Sequence, residues 1–113
     1  AMSHPIGAMF GTHHGTTNAV CMPAVLDFNA PAIAPRFDQA AAYLGIAGGF
    51  DGFCRFVQDL NDSLGIPRKL AELGFTTEPL EALISGALDD PSCGGNPRPL
   101  THTALRDLFL AVV

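Results

Sequence analysis

Between Phe50 and Leu64 apolar side chains recur at intervals of three and four (Phe50, Phe53, Cys54, Val57, Leu60, Leu64), while Asp51, Arg55, Asp59 and Asp62 fall on the other side. Only a helix of 3.6 residues per turn gathers such residues into one stripe, so this stretch predicts an amphipathic core helix. A Phe-rich stripe at that spacing is packing rather than a cofactor box. The same period runs through the rest of the chain, and no alternating run long enough for a strand, no repeat and no linker interrupts it. The expectation is one all-α domain spanning residues 1–113.

The elements can be placed in order. Ile6, Met9 and Phe10 predict a short helix over residues 3–10, stopped at Gly11-Thr12. Thr16 or Thr17 is expected to cap a buried helix from Asn18 to Phe28, in which Pro23 bends the chain or removes one hydrogen bond. Residues 29–35 read as a turn because Pro31 and Pro35 disfavour helix before each of them. A helix then runs from Pro35 to Leu44, with a glycine loop over 45–49 before the Phe-rich helix. Gly65-Ile66-Pro67 stops that helix, and a short one follows from Arg68 to Leu73, ended by Gly74. Thr76 or Thr77 is expected to cap a helix through Leu88. Residues 90–100 form a loop, and Thr101 caps a last helix whose buried face is Leu105, Leu108, Phe109 and Val112.

A chain of 113 residues can bury roughly 60–70% of its unfolded surface, enough for a real core. Apolar residues make up 48% and charged residues 15%, which excludes disorder and leaves more apolar surface than a lone small domain carries, so a partner surface is expected. The net charge of −5, with six Lys and Arg scattered along the chain, argues against nucleic acid or an anionic membrane as partner. Cys21, Cys54 and Cys93 form no C-x-x-C pair, so neither a disulfide framework nor a zinc knuckle is indicated and a reducing, cytoplasmic setting is expected. No apolar run reaches the roughly 18–20 residues needed to span a bilayer. Ala1-Met2 reads as a cloning remnant before an initiating methionine.

Three of the four histidines, His4, His13 and His14, lie within His4–Gly15. Imidazole is a common metal ligand and titrates near neutrality, so the cluster is a candidate site. Adjacent residues point in different directions, and at most one of His13 and His14 can join His4. The alternative is a helix-turn-helix packing element with polar residues at its bend.

The run H-P-I-G-A-x-F-x-x-x-H-G-x-x-N-A-V-x-x-P-x-V-L-x-F-N, from His4 to Asn29, resembles the signature of the iron-containing (group III metal-dependent) alcohol dehydrogenases. G-I-P-R-K-L-x-E-L-G at Gly65–Gly74 and D-P-S-C-G-G-N-P-R-P-L-T at Asp89–Thr101 are similar to closing segments of that family, in the same order. The resemblance implies an N-terminal nucleotide-binding α/β domain followed by a helical, metal-holding domain, of which this chain resembles the latter part. No glycine-rich phosphate loop follows a strand here, so the nucleotide-binding half is expected to be absent and the domain truncated. In the family one aspartate and three histidines hold the metal, and the last of those histidines matches His14. The ligand before it would precede Ala1. His4 matches a histidine beside the metal, near the nicotinamide and substrate, which implies a catalytic and cofactor-contacting role rather than ligation; its bland alternative is a helix histidine satisfied by backbone or carboxylate. Cys93 matches a cysteine approaching the substrate and cofactor pocket, where it is as easily a small apolar wall. Asn96, Pro97 and Arg98 are expected to shape their loop, His102 to lie on the surface, and His13 is assigned no role.

The chemistry so implied is reversible hydride transfer between a small alcohol or aldehyde and NAD(P), with Fe2+ or Zn2+ as Lewis acid. One histidine falls short of the roughly three protein ligands a catalytic site needs, so the chain by itself is expected to be inactive and to hold no stoichiometric cofactor. An alternative is a non-catalytic helical module that self-associates into a homo-oligomer through its exposed apolar face. Another is a metal site rebuilt across subunits from His4, His13 or His14. Maleylacetate reductases and dehydroquinate synthase-type lyases share the fold, but the H-P-x-G-A and H-G-x-x-N-A spelling favours the alcohol dehydrogenase branch.

Overall fold

A computed structural model describes residues 1–113. Five α-helices follow in chain order: α1 (Ser3–Phe10), α2 (His14–Leu44), α3 (Gly49–Ser63), α4 (Leu80–Leu88) and α5 (His102–Val112), with short 3-10 turns at Leu70–Leu73 and Cys93–Gly95. The fold is all-helical, as the 3.6-residue period predicts. It forms a flat slab of 41 × 31 × 19 Å, with α2 packed against α1, α3 and α5, and α4 bridging α1 and α5. The main core gathers Ile6, Leu70, Leu83, Ile84, Leu105 and Phe109, all fully buried. A smaller core of Leu26, Ile33 and Val57, flanked by Phe37, Phe50 and Phe53, joins α2 to α3.

The largest departure from the sequence reading is α2. Residues 29–35 are no turn, and the helices expected over 18–28 and 35–44 are one helix of 31 residues containing Pro23, Pro31 and Pro35. Each internal proline costs roughly 3 kcal/mol in an isolated helix. Packing offsets this: Ile33 is buried against α3 and Phe37 meets Phe53 edge-on at 4.9 Å, and each such side chain contributes about 1.5–3 kcal/mol on burial. Pro31 and Pro35 themselves lie at the exposed surface, where water can reach the carbonyls they leave unpaired. Pro23 is partly buried, and its lost partner is replaced specifically. The carbonyl four residues back, Ala19, accepts a 2.8 Å hydrogen bond from the Asn61 side chain of α3.

Two expected caps are also corrected. α2 starts at His14, with His13 as its N-cap, and Thr17 lies inside the helix, fully buried, its hydroxyl 2.7 Å from the Thr12 hydroxyl and 3.0 Å from the His13 carbonyl. α4 starts at Leu80 after Pro79, without a side-chain cap from Thr76 or Thr77. Thr101 does cap α5, its hydroxyl accepting from Ala104 N at 3.1 Å. The short helix expected over Arg68–Leu73 is a 3-10 turn at Leu70–Leu73, and it stops as expected at Gly74, whose φ of 86° suits glycine. The loop between α2 and α3 is tight. Asp38 of α2 accepts from Phe50 N at 2.7 Å, tying down the first turn of α3, and a Cβ on Gly52 would fall 1.9 Å from the Ala47 carbonyl oxygen.

Candidate functional site

α1 and the start of α2 meet at a bend. Gly11, with φ 65°, ends α1 in the left-handed region, and three residues later α2 begins at His14. This geometry brings His4 and His14 face to face, with ring centroids 5.3 Å apart and planes 12° from parallel. His13 points elsewhere and is exposed, so of the two adjacent histidines one joins His4, as side-chain direction requires.

Each imidazole of the pair has its own partner. His14 Nε2 lies 3.1 Å from the Asn18 amide nitrogen one turn along α2, while Asn18 Oδ1 accepts from the Ser3 hydroxyl. An amide nitrogen only donates, so His14 Nε2 carries the lone pair. His4 Nδ1 is bonded to Asp90 Oδ2, in the loop after α4. Asp90 is held in turn by Ser92, whose backbone N donates to Oδ1 at 2.8 Å and whose hydroxyl bonds the same oxygen. The Ser92 hydroxyl first, then His4, then the Ser92 backbone N–H keep the Asp90 carboxyl well below the usual carboxylate range. Its side chain is 6% exposed against 60% for His4.

Ser3, Asn18 and Ser92 also line a cleft of about 330 Å3, whose walls include Cys21, Met22, Val25, Phe28 and Leu100. Asn96 closes one side and is fixed by a reciprocal amide pair with the buried Asn29 of α2, at 2.9 and 2.8 Å, and by donating to the Arg98 carbonyl at 2.6 Å. Arg98 lies over the Phe28 ring at 4.3 Å and donates to the Phe28 carbonyl. These contacts are the loop-shaping role expected of Asn96 and Arg98. Cys93 is partly buried in its 3-10 turn while its neighbours Ser92 and Gly95 line the cleft. His102 lies on the surface, paired with Glu81 at 2.7 Å. Burial pushes the Cys21 thiol up to about 11, which keeps it protonated and inert near neutrality.

Asp90, Asn18, Ser3 and Ser92 were not singled out in the sequence. Asp90 carried one local signal, the Asp-x-Ser spacing in which a carboxylate accepts from the backbone two residues on; its partner His4, far along the chain, left none.

The family model for the Fe-containing alcohol dehydrogenase family, C-terminal part, matches residues 1–113. The chain belongs to this family. It is 33% identical over 115 residues to lactaldehyde reductase of Escherichia coli K12, covering 96% of this chain and 30% of that protein. It is 36% identical over 118 residues to 4-hydroxybutyrate dehydrogenase of Cupriavidus necator, covering 96% and 31%. Its fold superposes on a crystal structure of 1,3-propanediol oxidoreductase with a TM-score of 0.91 at 26% identity, over 99% of this chain and 31% of that one. The chain therefore spans about a third of the length of the relatives it matches, and its helices are those of the family's C-terminal helical domain.

The family's iron raises the question whether the residues here fit a metal ion. His14 does, as an exposed imidazole whose Nε2 lone pair, here accepting from the Asn18 amide, would turn to the ion in exchange for that one hydrogen bond. His4 does not join it on one ion, because an imidazole lone pair lies in its ring plane and two stacked, nearly parallel rings cannot aim at a common point. No three His, Cys, Asp or Glu side chains of the chain converge on a common point.

Proposed function

We propose that this chain is the metal-side helical module of an iron-type, NAD(P)-dependent alcohol dehydrogenase, in which His14 is a metal ligand and His4 stands beside the reacting alcohol. The observation that carries this reading is the stacked His4–His14 pair, because near-parallel rings cannot share one ion and their partners differ: His14 meets only the neutral Asn18 amide, while His4 is anchored on the Asp90 carboxylate and open to solvent. Bound in such a site, Fe2+ or Zn2+ supplies Lewis acidity that polarises an alcohol oxygen. The chain's part is positional. Asn18 holds His14 until its Nε2 lone pair turns to an ion, Asp90 orients His4, and the Asn29–Asn96 pair with the Arg98–Phe28 contact fixes the loop that carries Asp90. With one ligand and no phosphate loop, the 113-residue chain by itself turns over no alcohol.

The test is a hybrid enzyme in which this chain replaces the corresponding C-terminal third of E. coli lactaldehyde reductase. The hybrid is expected to bind iron and reduce NAD+ with a small alcohol, and His14→Ala to lose both. Retention of iron and activity in His14→Ala would overturn the assignment.

A self-associating module remains a second reading because of one surface feature. Phe56 and Leu60 on α3 and Leu64 just beyond it are 46, 44 and 66% exposed along one side, a stripe that water covers poorly. Native mass spectrometry across concentrations tests it: a homo-oligomer that dissociates in Leu60→Glu supports the reading, and a monomer at all concentrations removes it.

A further inference from the structure

We propose that Asp90 is a positioning residue for His4, fixing the neutral imidazole with its proton on Nδ1 and its lone pair on the outward Nε2, so that His4 is presented as a proton acceptor. The catalytic use of that orientation rests on the reading of His4 given above; the orientation itself is a property of this chain alone.

The argument starts from the packing that brings the groups together. α1 lies against α4 at Gly86, where an added Cβ would come within 3.0 Å of Pro5, the residue after His4. That close approach sets His4 beside the loop that follows α4, and Asp90 Oδ2 meets His4 Nδ1. The other carboxylate oxygen is occupied, receiving Ser92 N at 2.8 Å and the Ser92 hydroxyl. An ionised carboxylate only accepts, so the hydrogen between Asp90 and His4 belongs to His4 Nδ1. A neutral imidazole has one N–H, and Nε2 is left as the acceptor. With the carboxylate buried and the ring mostly exposed, the anchored edge faces the protein and the basic edge faces out.

A nucleophilic triad is a different use of the same three residue types, and the geometry excludes it. The Ser92 hydroxyl sits on the carboxylate, not on the imidazole, so no base is placed to take its proton. What remains is a carboxylate that holds one tautomer, the function an aspartate performs behind a catalytic histidine.

The experiment is a long-range 1H–15N correlation spectrum of the full 15N-labelled chain at alkaline pH, where the imidazoles are neutral, with His4 assigned by its loss in His4→Ala. The wild-type chain is expected to show His4 protonated on Nδ1. In Asp90→Asn the side-chain oxygen stays with the two Ser92 donors and the amide nitrogen turns to His4, so the proton moves to Nε2 and the tautomer inverts. In Asp90→Ala the restraint is gone and both tautomers are populated. A wild-type His4 protonated on Nε2 would overturn the proposal, as would an unchanged tautomer in folded Asp90→Asn; should that variant fail to fold, the wild-type spectrum and Asp90→Ala decide. In the hybrid enzyme Asp90→Asn is expected to lower kcat at unchanged iron content and KM. Full kcat alongside an inverted tautomer overturns the reading of His4 as proton acceptor while leaving its orientation by Asp90 established.

Discussion

The amide pair Asn29–Asn96 offers a quantitative test of how the site loop is held. Asn29 is 4% exposed in the middle of α2, and both its side-chain groups are satisfied by Asn96, 67 residues away. Removing either partner orphans a donor and an acceptor, and a buried polar group left unpaired costs about 1–3 kcal/mol. Asn96→Ala and Asn29→Ala are each expected to cost about 2 kcal/mol, allowing for water reaching the more open Asn96 side. The double substitution leaves neither amide orphaned and strips only the Arg98 carbonyl of its Asn96 donor, so its cost is about 2–3 kcal/mol rather than the sum, with a coupling energy of about 1–2 kcal/mol. Urea denaturation of the four proteins measures this, with equal slopes confirming that the unfolding reaction is unchanged; for a domain of about 100 residues each single variant should also melt roughly 8 °C lower. Additivity within about 0.5 kcal/mol would refute the claim that the two amides act as one unit.

Other parts of the structure make their own demands. Asn61→Ala should destabilise by about 1–2 kcal/mol because it strips the Ala19 carbonyl of its replacement donor, and the cost should shrink by about 1 kcal/mol in a Pro23→Ala background, where a backbone N–H returns; equal costs in both backgrounds would show that Asn61 stabilises by some other route. Gly52→Ala, with its Cβ 1.9 Å from Ala47 O, should cost about 3 kcal/mol or more, read as a Tm drop of roughly 10 °C or failure to fold; a wild-type Tm would mean the loop yields freely. Burial raises the Cys21 thiol from 9.0 to about 11, so in that interval the unfolded chain loses a proton that the folded one keeps. Its contribution is complete below pH 9.0 and falls by up to about 1.4 kcal/mol per unit as pH rises, with a slope absent in Cys21→Ala.

How far the sequence could be read depended on the range of the interaction. α3, the Gly74 stop and the Thr101 cap of α5 are local: a repeat of three and four, a residue free to adopt positive φ, and a hydroxyl three residues from its donor. The prolines of α2 were misread because their compensation is distant. Nothing near Pro23 announces Asn61, and nothing near Pro31 announces that Asn29, Ile33 and Phe37 hold that stretch helical against α3 and the Asn96 loop. Propensity predicted a turn, and tertiary packing outweighed it. The histidine pair was half legible, since His4 and His14 were named from their motif and their stacking needed the Gly11 bend.

The loop from Asp90 to Arg98 ties the histidine pair to the proline-bearing helix. Its first residue bonds His4 of α1, and its last residues bond Phe28 and Asn29 of α2. It therefore braces the same two helices whose junction sets the His4–His14 stack. Such a brace works only if α2 is continuous from His14 to Asn29, because a break at Pro23 would let the Asn29 end move independently of His14. Of the three prolines only Pro23 lies between the two anchors, and the contacts that hold this stretch, Asn61 to Ala19 and Asn29 to Asn96, also help to fix the imidazoles relative to the carboxylate. Loosening Asn96 should thus be felt at His4, broadening its Nδ1–H signal in the same spectra that test Asp90, and a His4 signal indifferent to Asn96→Ala would show that the two ends of the loop are mechanically separate.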